Sequence, residues 1–341
     1  MRAGAALLCG AVAGLLAMNA TGAVASDVAG ALQAGAPVAN GQLSLAELEA
    51  RYRLPGSRFV EFDGARVHYV EDGPAEAPVV LLLHGSYYSL RDWEDWAATL
   101  AQDFRVIRMD RLRFGLTRGF PDGAVSYPRE VDLVEGVVRA LGVTEFSLAG
   151  ASSGGIVAAQ VAARNPQMVK RLVLFNFPLG HARIAGNPDL QAMSRDNAAR
   201  GWQLPEFAEM QLKDGLVDHR RITLALVQRM TDFANREDPD GAARAAFARA
   251  AAFGEPERRA MLAQLKMPVL VMWSAQNRTL PVADGEAAFA AIGAAEKRFT
   301  LVEGIGHAAP IEGGAETAAA ARAFFKGGWP RARLVVTAGA R

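Results

Sequence analysis

The sequence predicts an α/β protein with a mainly parallel, eight-stranded sheet, helices on both faces and a helical cap inserted after the sixth strand. Short apolar runs alternate along the chain with stretches of helical spacing, the pattern of strands buried between two layers of helices. Residues 178–266 break this alternation, because they are helical in pattern and contain no convincing strand. Such an insertion between two strands is expected to cover an edge of the sheet.

The elements follow in a regular order. Asp63-Gly64 is a strong hairpin signal between strands at 58–62 and 66–70. Later strands are predicted at 78–83, 104–109, 145–149, 171–175, 268–273 and 298–302, and helices at 91–102, 128–141, 154–163 and 316–325. The predicted domain boundaries are therefore 45–177 and 267–326 for the two parts of the core, with the cap between them. Residues 327–341 have no assigned structure.

Composition excludes several function classes. The 341 residues carry 37 basic and 36 acidic side chains, whereas a nucleic-acid binder normally shows a basic excess. A hydrophobic fraction of 51% excludes a disordered chain. No apolar run after residue 25 reaches the roughly 18 residues of a membrane-spanning helix.

The N-terminus resembles an export signal. Arg2 is followed by an almost uncharged run from residue 3 to residue 20, and then by Ala23-Val24-Ala25. This pattern predicts a signal peptide over 1–25, cleaved after Ala25, and a secreted or periplasmic protein. Residues 26–44 are predicted to be a flexible leader. The only cysteine, Cys9, lies within the signal, so the mature chain would contain no disulfide.

A candidate nucleophile lies directly after the strand predicted at 145–149. Gly150-Ala151-Ser152-Ser153-Gly154 opens the next helix, which is the strand–turn–helix context of a nucleophile elbow. The glycines at both sides of Ser152 favour this serine over Ser153. The helix N-terminus behind it favours a developing negative charge.

The other candidate residues also follow strands. His84-Gly85-Ser86 ends the strand at 78–83, so the backbone N–H groups of Ser86 and Ser153 are expected to form an oxyanion hole, and the His84 side chain to be structural. Gly304-Ile305-Gly306-His307 follows the strand at 298–302, and His307 is the expected general base.

Together these motifs resemble the α/β-hydrolase family, similar to its branch of capped esterases and meta-cleavage C–C hydrolases. The resemblance covers about residues 45–325 and includes Asp110, Phe114-Gly115-Leu116-Thr117 and the run 268–273. It implies a serine hydrolase that cleaves an apolar carboxylic ester through an acyl-enzyme on Ser152. Relatives with an aspartate nucleophile, such as dehalogenases and epoxide hydrolases, fit less well because the elbow presents serine.

The triad acid departs from the family pattern. The usual acid position holds Asn277, and the alternative position, at the end of the strand before the cap, holds Asn176. Asn277 is expected to accept a hydrogen bond from His307 Nδ1, although an amide gives an imidazolium no counter-charge. The substitute carboxylates nearest in the sequence are Asp284, Glu303 and Asp110.

Candidate substrate-binding residues complete the prediction. Leu112-Arg113 replaces the Pro-Gly usual in relatives, so Arg111 and Arg113 are candidates for binding a carboxylate. Tyr87 and Tyr88 are candidates for lining the pocket.

No metal or organic cofactor is expected, since the sequence shows neither a metal-ligand set nor a dinucleotide fingerprint. The partner is a small molecule, with no nucleic acid. Three alternatives stay open: a C–C hydrolase of a diketone acid, a hydrolase-derived binding protein, and a lyase or cofactor-independent oxygenase.

Overall fold

A computed structural model describes residues 41–180, 187–237 and 253–337. The predicted signal peptide and all but the last four residues of the predicted leader lie outside these ranges. Residues 41–44 are part of the fold: Leu43 is buried and exchanges backbone hydrogen bonds with Asn235 and Glu237, and Ser44 caps the first helix. The predicted flexible leader therefore extends too far, because Leu43 packs against apolar side chains.

The described strands form one nine-stranded sheet. They are β1 (Ser57–Phe62), β2 (Ala65–Asp72), β3 (Val79–Leu83), β4 (Arg105–Met109), β5 (Phe146–Ala151), β6 (Val169–Phe175), β7 (Val269–Ser274), β8 (Lys297–Glu303) and β9 (Arg333–Val335). Their order in the sheet is β1-β2-β4-β3-β5-β6-β7-β8-β9, and pairing is parallel from β4 to β9. β1 and β2 form the predicted hairpin, with positive φ at both Asp63 and Gly64.

Helices cover both faces of the sheet. The described α-helices are α1 (Leu45–Tyr52), α2 (Glu94–Leu100), α3 (Tyr127–Ala140), α4 (Ser153–Arg164), α5 (Pro188–Arg200), α6 (Pro205–Gly215), α7 (Leu224–Ala234), α8 (Glu255–Ala263), α9 (Val282–Ala291), α10 (Ala309–Glu312) and α11 (Gly314–Phe325). Along β3, Leu81 and Leu83 belong to the apolar core shared with α3, α4, α8 and α9, whereas Val80 and Leu82 belong to the core on the opposite side, with α2 and α11. None of these described helices combines the length and the apolar character that a membrane span requires.

Two features differ from the sequence prediction. β9 adds a ninth strand at the edge, from the tail that had no assigned structure. The described part of 178–266 contains α5, α6, α7 and α8, and α8 differs from the predicted cap because it buries Met261 and Leu262 in the main core. Helices α6 and α7 instead form a small apolar cluster, which includes Leu212 and Leu226, with Ala308 of the histidine loop.

Candidate active site

Ser152 occupies a strained turn between β5 and α4. Its backbone has φ 50° and ψ −127°, a conformation that residues with a Cβ rarely adopt. A Cβ on Gly154 would lie 2.3 Å from the carbonyl oxygen of His84, and one on Gly150 would lie 2.5 Å from the carbonyl oxygen of Gly154. The turn therefore requires glycine at both positions, and it exposes the Ser152 hydroxyl at the carboxyl edge of the sheet.

His307 lies opposite this serine, in the loop between β8 and α10. Its Nε2 atom is 3.0 Å from Ser152 Oγ, a hydrogen-bond distance that joins residues 155 positions apart in the sequence. The two side chains share a cleft of about 10 Å³, roughly the size of one water molecule, with Tyr88 and Trp93 among its other lining residues. Ser152 and His307 thus have the relative placement of a nucleophile and its base.

The other ring nitrogen of His307 lacks an acid. Nδ1 is buried and has no hydrogen-bond partner among the described residues. Burial lowers the pKa of His307 to about 4, because the charged imidazolium loses its hydration. The ring is therefore neutral at pH 7, and no carboxylate holds its proton on Nδ1.

Asn277 does not bond to His307, contrary to the sequence prediction. Its Oδ1 atom accepts hydrogen bonds from the backbone N–H groups of Thr279 at 3.1 Å and Leu280 at 2.9 Å. Its Nδ2 atom is buried and has no hydrogen-bond partner in the described structure. The amide oxygen therefore caps the turn after β7 and is not available to the imidazole.

Asn176, in the alternative acid position, holds the backbone of the histidine loop. Its Nδ2 atom donates to the carbonyl oxygen of His307 at 3.0 Å and to Ser274 Oγ at 3.0 Å, and its Oδ1 atom accepts from the Ser274 N–H at 2.9 Å. It lies at the end of β6 with φ 49°. This residue fixes the loop that carries the histidine without contacting the ring.

The three substitute carboxylates make no bond to His307. Asp110 accepts hydrogen bonds from His68 Nδ1 at 2.6 Å and from the backbone of Leu90 and Leu116. Burial raises the pKa of Asp110, but the hydrogen bond and charge of His68 outweigh it and leave that pKa below its usual value. Glu303 pairs with Arg333 at 3.3 Å. Asp284 lies in the first turn of α9.

The two residues predicted to supply the oxyanion hole lie side by side. Ser86 Oγ is 2.8 Å from Ser153 Oγ, and Ser153 is the first residue of α4, where backbone N–H groups lack partners within the helix. His84, between β3 and Ser86, is buried and structural: its Nδ1 bonds to the Gly85 carbonyl oxygen at 2.7 Å, and its Nε2 accepts the Arg111 N–H at 3.0 Å.

Arg111 is a structural residue, and its prediction as a substrate ligand is wrong. Its Nη2 atom donates to Glu130 Oε2 at 2.5 Å, and its Nη1 atom donates to the His84 carbonyl oxygen at 2.9 Å and to Ser153 Oγ at 2.8 Å. Both nitrogens are therefore engaged inside the protein. The partner Glu130 lies on α3, and its place in the sequence gave no signal for this pair.

Arg113 and Tyr87 line a separate pocket of about 340 Å³ between the core loops and the cap. Arg113 has φ 74° at the position where relatives usually have glycine. The other lining residues are Phe114, Ser194, Asn197, Ala198, Gly201, Trp202, Gln203, Phe207, Phe233 and Ala234. Tyr88 faces the smaller cleft at Ser152. The two neighbouring tyrosines thus line different cavities.

The described part of the chain contains no cluster of three or more His, Cys, Asp or Glu side chains placed to hold a metal ion.

Comparison with known proteins identifies the family. The sequence model for the alpha/beta hydrolase fold matches residues 78–314, and the chain belongs to this family of enzymes. A 2-hydroxymuconate semialdehyde hydrolase from a Pseudomonas species is 33% identical over 144 residues, 41% of this chain and 47% of that protein. Epoxide hydrolase 4 of Mus musculus is 28% identical over 121 residues, 35% of this chain and 33% of that protein. The matches span about a third to a half of these curated relatives.

Solved structures show the same fold over more of the chain. A bacterial membrane phospholipase A has a TM-score of 0.68 at 23% identity, covering 89% of this chain and 96% of that one. The enol-lactonase from Burkholderia xenovorans has a TM-score of 0.65 at 23% identity, covering 79% of this chain and all of the other. At this identity the likeness concerns the fold alone.

Proposed function

We propose that the chain hydrolyses carboxylic esters through an acyl-enzyme on Ser152. The observation that carries the proposal is the 3.0 Å approach of His307 Nε2 to Ser152 Oγ at a turn with positive φ. A hydroxyl at such an elbow reaches a bound carbonyl, and a neutral imidazole beside it can accept its proton.

In the proposed mechanism, Ser152 Oγ forms a bond to the ester carbonyl carbon while its proton passes to His307 Nε2. The carbonyl π electrons move onto oxygen, which the N–H groups of Ser86 and Ser153 stabilise. The carbon–oxygen bond to the alcohol then breaks, and His307 returns the proton to the leaving alkoxide. Water then attacks the carbonyl carbon of the acyl-enzyme while His307 Nε2 takes one of its protons. The bond between that carbon and Ser152 Oγ breaks, His307 returns the proton to Oγ, and the carboxylic acid is released.

The 340 Å³ pocket is the proposed binding site for the larger part of the substrate, because its lining residue Tyr87 is the chain neighbour of Tyr88, which lines the cleft at Ser152. Aromatic rings form much of its wall, including Trp202, Phe207 and Phe233, and no acidic side chain among the described residues lines it. Arg113 also lines it, at the edge formed by the core loops. Such a surface gains from burying apolar area. The substrate is therefore proposed to be an apolar ester.

Cleavage of a carbon–carbon bond is the second candidate, favoured by the 33% identity to a 2-hydroxymuconate semialdehyde hydrolase. The ester proposal is preferred because Arg111, one of the two candidate ligands for the carboxylate of such a substrate, is bonded to Glu130.

A substrate panel distinguishes these candidates. We expect measurable turnover of p-nitrophenyl butanoate, and none of a vinylogous diketone acid or of styrene oxide, each compared with the Ser152→Ala variant as blank. Turnover of the diketone acid without the ester would replace the proposal by the C–C activity.

We also propose that the protein is exported and cleaved after Ala25. The support is the sequence pattern alone, a basic start, an apolar run and Ala23-Val24-Ala25. Intact-mass measurement of the protein from the cell exterior or periplasm should give a chain that begins at Ser26. A full-length chain confined to the cytosol would contradict the proposal.

A further inference from the structure

A buried carboxylate joins the end of a cap helix to the loop of His307. Glu312, the last residue of α10, is 2% exposed. Its Oε1 atom accepts hydrogen bonds from the backbone N–H groups of Val217 at 2.7 Å and Asp218 at 2.5 Å. Its Oε2 atom accepts from the Gly306 N–H at 2.6 Å. Gly306 immediately precedes His307. The Glu312 side chain therefore joins the segment 217–218, after α6, to the loop that carries His307.

Backbone contacts reinforce the same junction. The N–H of Ala308, which follows His307, donates to the carbonyl oxygen of Gly215 at the end of α6 at 3.0 Å. Arg221, just beyond that segment, donates to the carbonyl oxygen of Ile311 at 2.8 Å. The charge of Glu312 is thus solvated by three backbone N–H groups, those of Val217, Asp218 and Gly306.

The histidine ring depends on this backbone support. A triad acid would normally fix the ring through Nδ1, but in this structure Nδ1 has no partner in the described residues. Two hydrogen bonds to its backbone hold the loop instead. Asn176 Nδ2 donates to the His307 carbonyl oxygen, and Glu312 accepts from the Gly306 N–H.

We propose that Glu312 is a positioning residue: through the Gly306 N–H it keeps His307 aligned with Ser152, and it makes that alignment depend on the placement of cap helix α6. The inference rests on the proposed function in taking His307 as the base.

Replacing the carboxylate by an amide breaks the junction on one side. In Glu312→Gln the side chain has one oxygen and one NH₂ group, and each side of the junction presents N–H donors. Whichever way the amide turns, two donors meet in a buried place and one segment loses its acceptor. We expect the other segment to loosen with it, because Glu312 is the side chain that joins the two. Glu312→Asp keeps the charge but is one methylene shorter, so it serves as the milder variant if Glu312→Gln does not fold.

The first measurement does not depend on turnover. Hydrogen exchange of peptides covering 215–218 and 304–308 is followed by mass spectrometry in the wild type and in Glu312→Gln. We expect exchange to become at least tenfold faster in both segments. Faster exchange in only one of them would show that the two segments are not coupled through Glu312, and would overturn the proposal.

The second measurement tests whether the effect passes through His307. The rate of fluorophosphonate labelling at Ser152 should fall at least tenfold in Glu312→Gln. The same substitution in a His307→Ala background should change the slow residual rate by less than twofold. An equal loss in both backgrounds, or no loss in the folded variant, would contradict a positioning role.

Asp232 offers a matched control. It is also buried and ties cap helix α7 to α1, accepting hydrogen bonds from Arg51 at 3.0 Å and Tyr52 at 2.7 Å, but it does not contact the histidine loop. Asp232→Asn should lower stability and leave the labelling rate within twofold. An equal loss of labelling in Asp232→Asn would assign the effect to general destabilisation.

Failure of the proposed function is distinguished by the wild type. If the wild type is not labelled at Ser152, the proposed function fails, and the exchange experiment alone decides whether Glu312 couples the segments 215–218 and 304–308.

Discussion

Replacing Ser152 with alanine should lower kcat for p-nitrophenyl butanoate by about a hundredfold, to a residual rate that the oxyanion hole and substrate binding support. The expected loss is smaller than in a complete triad. In serine proteases the complete triad raises kcat by roughly 2 × 10⁶-fold, and loss of the acid alone lowers kcat by about 3 × 10⁴-fold. The serine and histidine without the acid therefore still raise kcat by about 10²-fold. The His307 ring lacks an acid here, so Ser152 is expected to contribute this remainder.

Ser153→Ala is the matched control, because Ser153 is adjacent in sequence and its hydroxyl bonds to Ser86 and Arg111. We expect a smaller change there, since the proposed role of Ser153 uses its backbone N–H. Full activity in Ser152→Ala, with loss of activity only in Ser153→Ala, would show that Ser153 is the nucleophile and would contradict the assignment to Ser152.

Restoring a carboxylate at position 277 should raise kcat by about tenfold or more. As the resting site stands, a proton on His307 Nδ1 would be a buried donor without an acceptor, which costs about 1–3 kcal/mol, and roughly 1.4 kcal/mol corresponds to a factor of ten. In Asn277→Asp, one carboxylate oxygen can keep the bonds to Thr279 and Leu280. The other takes the place of Nδ2, which is buried without a partner, as is His307 Nδ1. We expect this oxygen to serve His307 as an acceptor and a counter-charge, as the acid does in a complete triad.

The pH–rate profile provides the check on this variant. The base works in its neutral form, so activity falls as pH drops through the pKa of His307, which burial lowers to about 4. A nearby carboxylate favours the imidazolium and raises that pKa, so the lower limb of the profile should move to higher pH in Asn277→Asp. An unchanged kcat and an unchanged lower limb would show that position 277 does not act on His307.

Asn176→Asp is the matched control for charge and position. Asn176 Nδ2 donates to the carbonyl oxygen of His307, so a carboxylate oxygen in its place would face another acceptor. The same substitution should therefore lower activity at position 176 and raise it at position 277.

The sequence was sufficient to predict the strands from β1 to β8 in their order along the chain, and the proximity of Ser152 and His307. The apolar runs are continuous where strands are buried on both faces, as in β3 and β7, and the glycines around Ser152 report a turn that only they permit. β9 was not predictable, because its three residues are largely exposed and its apolar stretch, Leu334 to Val336, is too short to indicate a strand.

The partners of buried polar groups were harder to predict. The sequence predicts substrate binding by Arg111 because its guanidinium lies near the expected edge of the active site. Its partner Glu130 lies 19 residues away, on a helix whose residue spacing indicates only which face is apolar. Asn277 was placed in the site by its position in the motif. Its orientation depends on the backbone of the turn at Thr279 and Leu280, which no residue pattern specifies.

The central claim is that this chain carries an activated serine at position 152. Reaction of the wild type with a fluorophosphonate, followed by peptide mapping, tests it most directly. The proposal predicts one covalent adduct on Ser152, absent in Ser152→Ala and much slower to form in His307→Ala. An unlabelled wild type would instead indicate a hydrolase-fold binding protein without turnover, and a label on another serine would move the active site elsewhere.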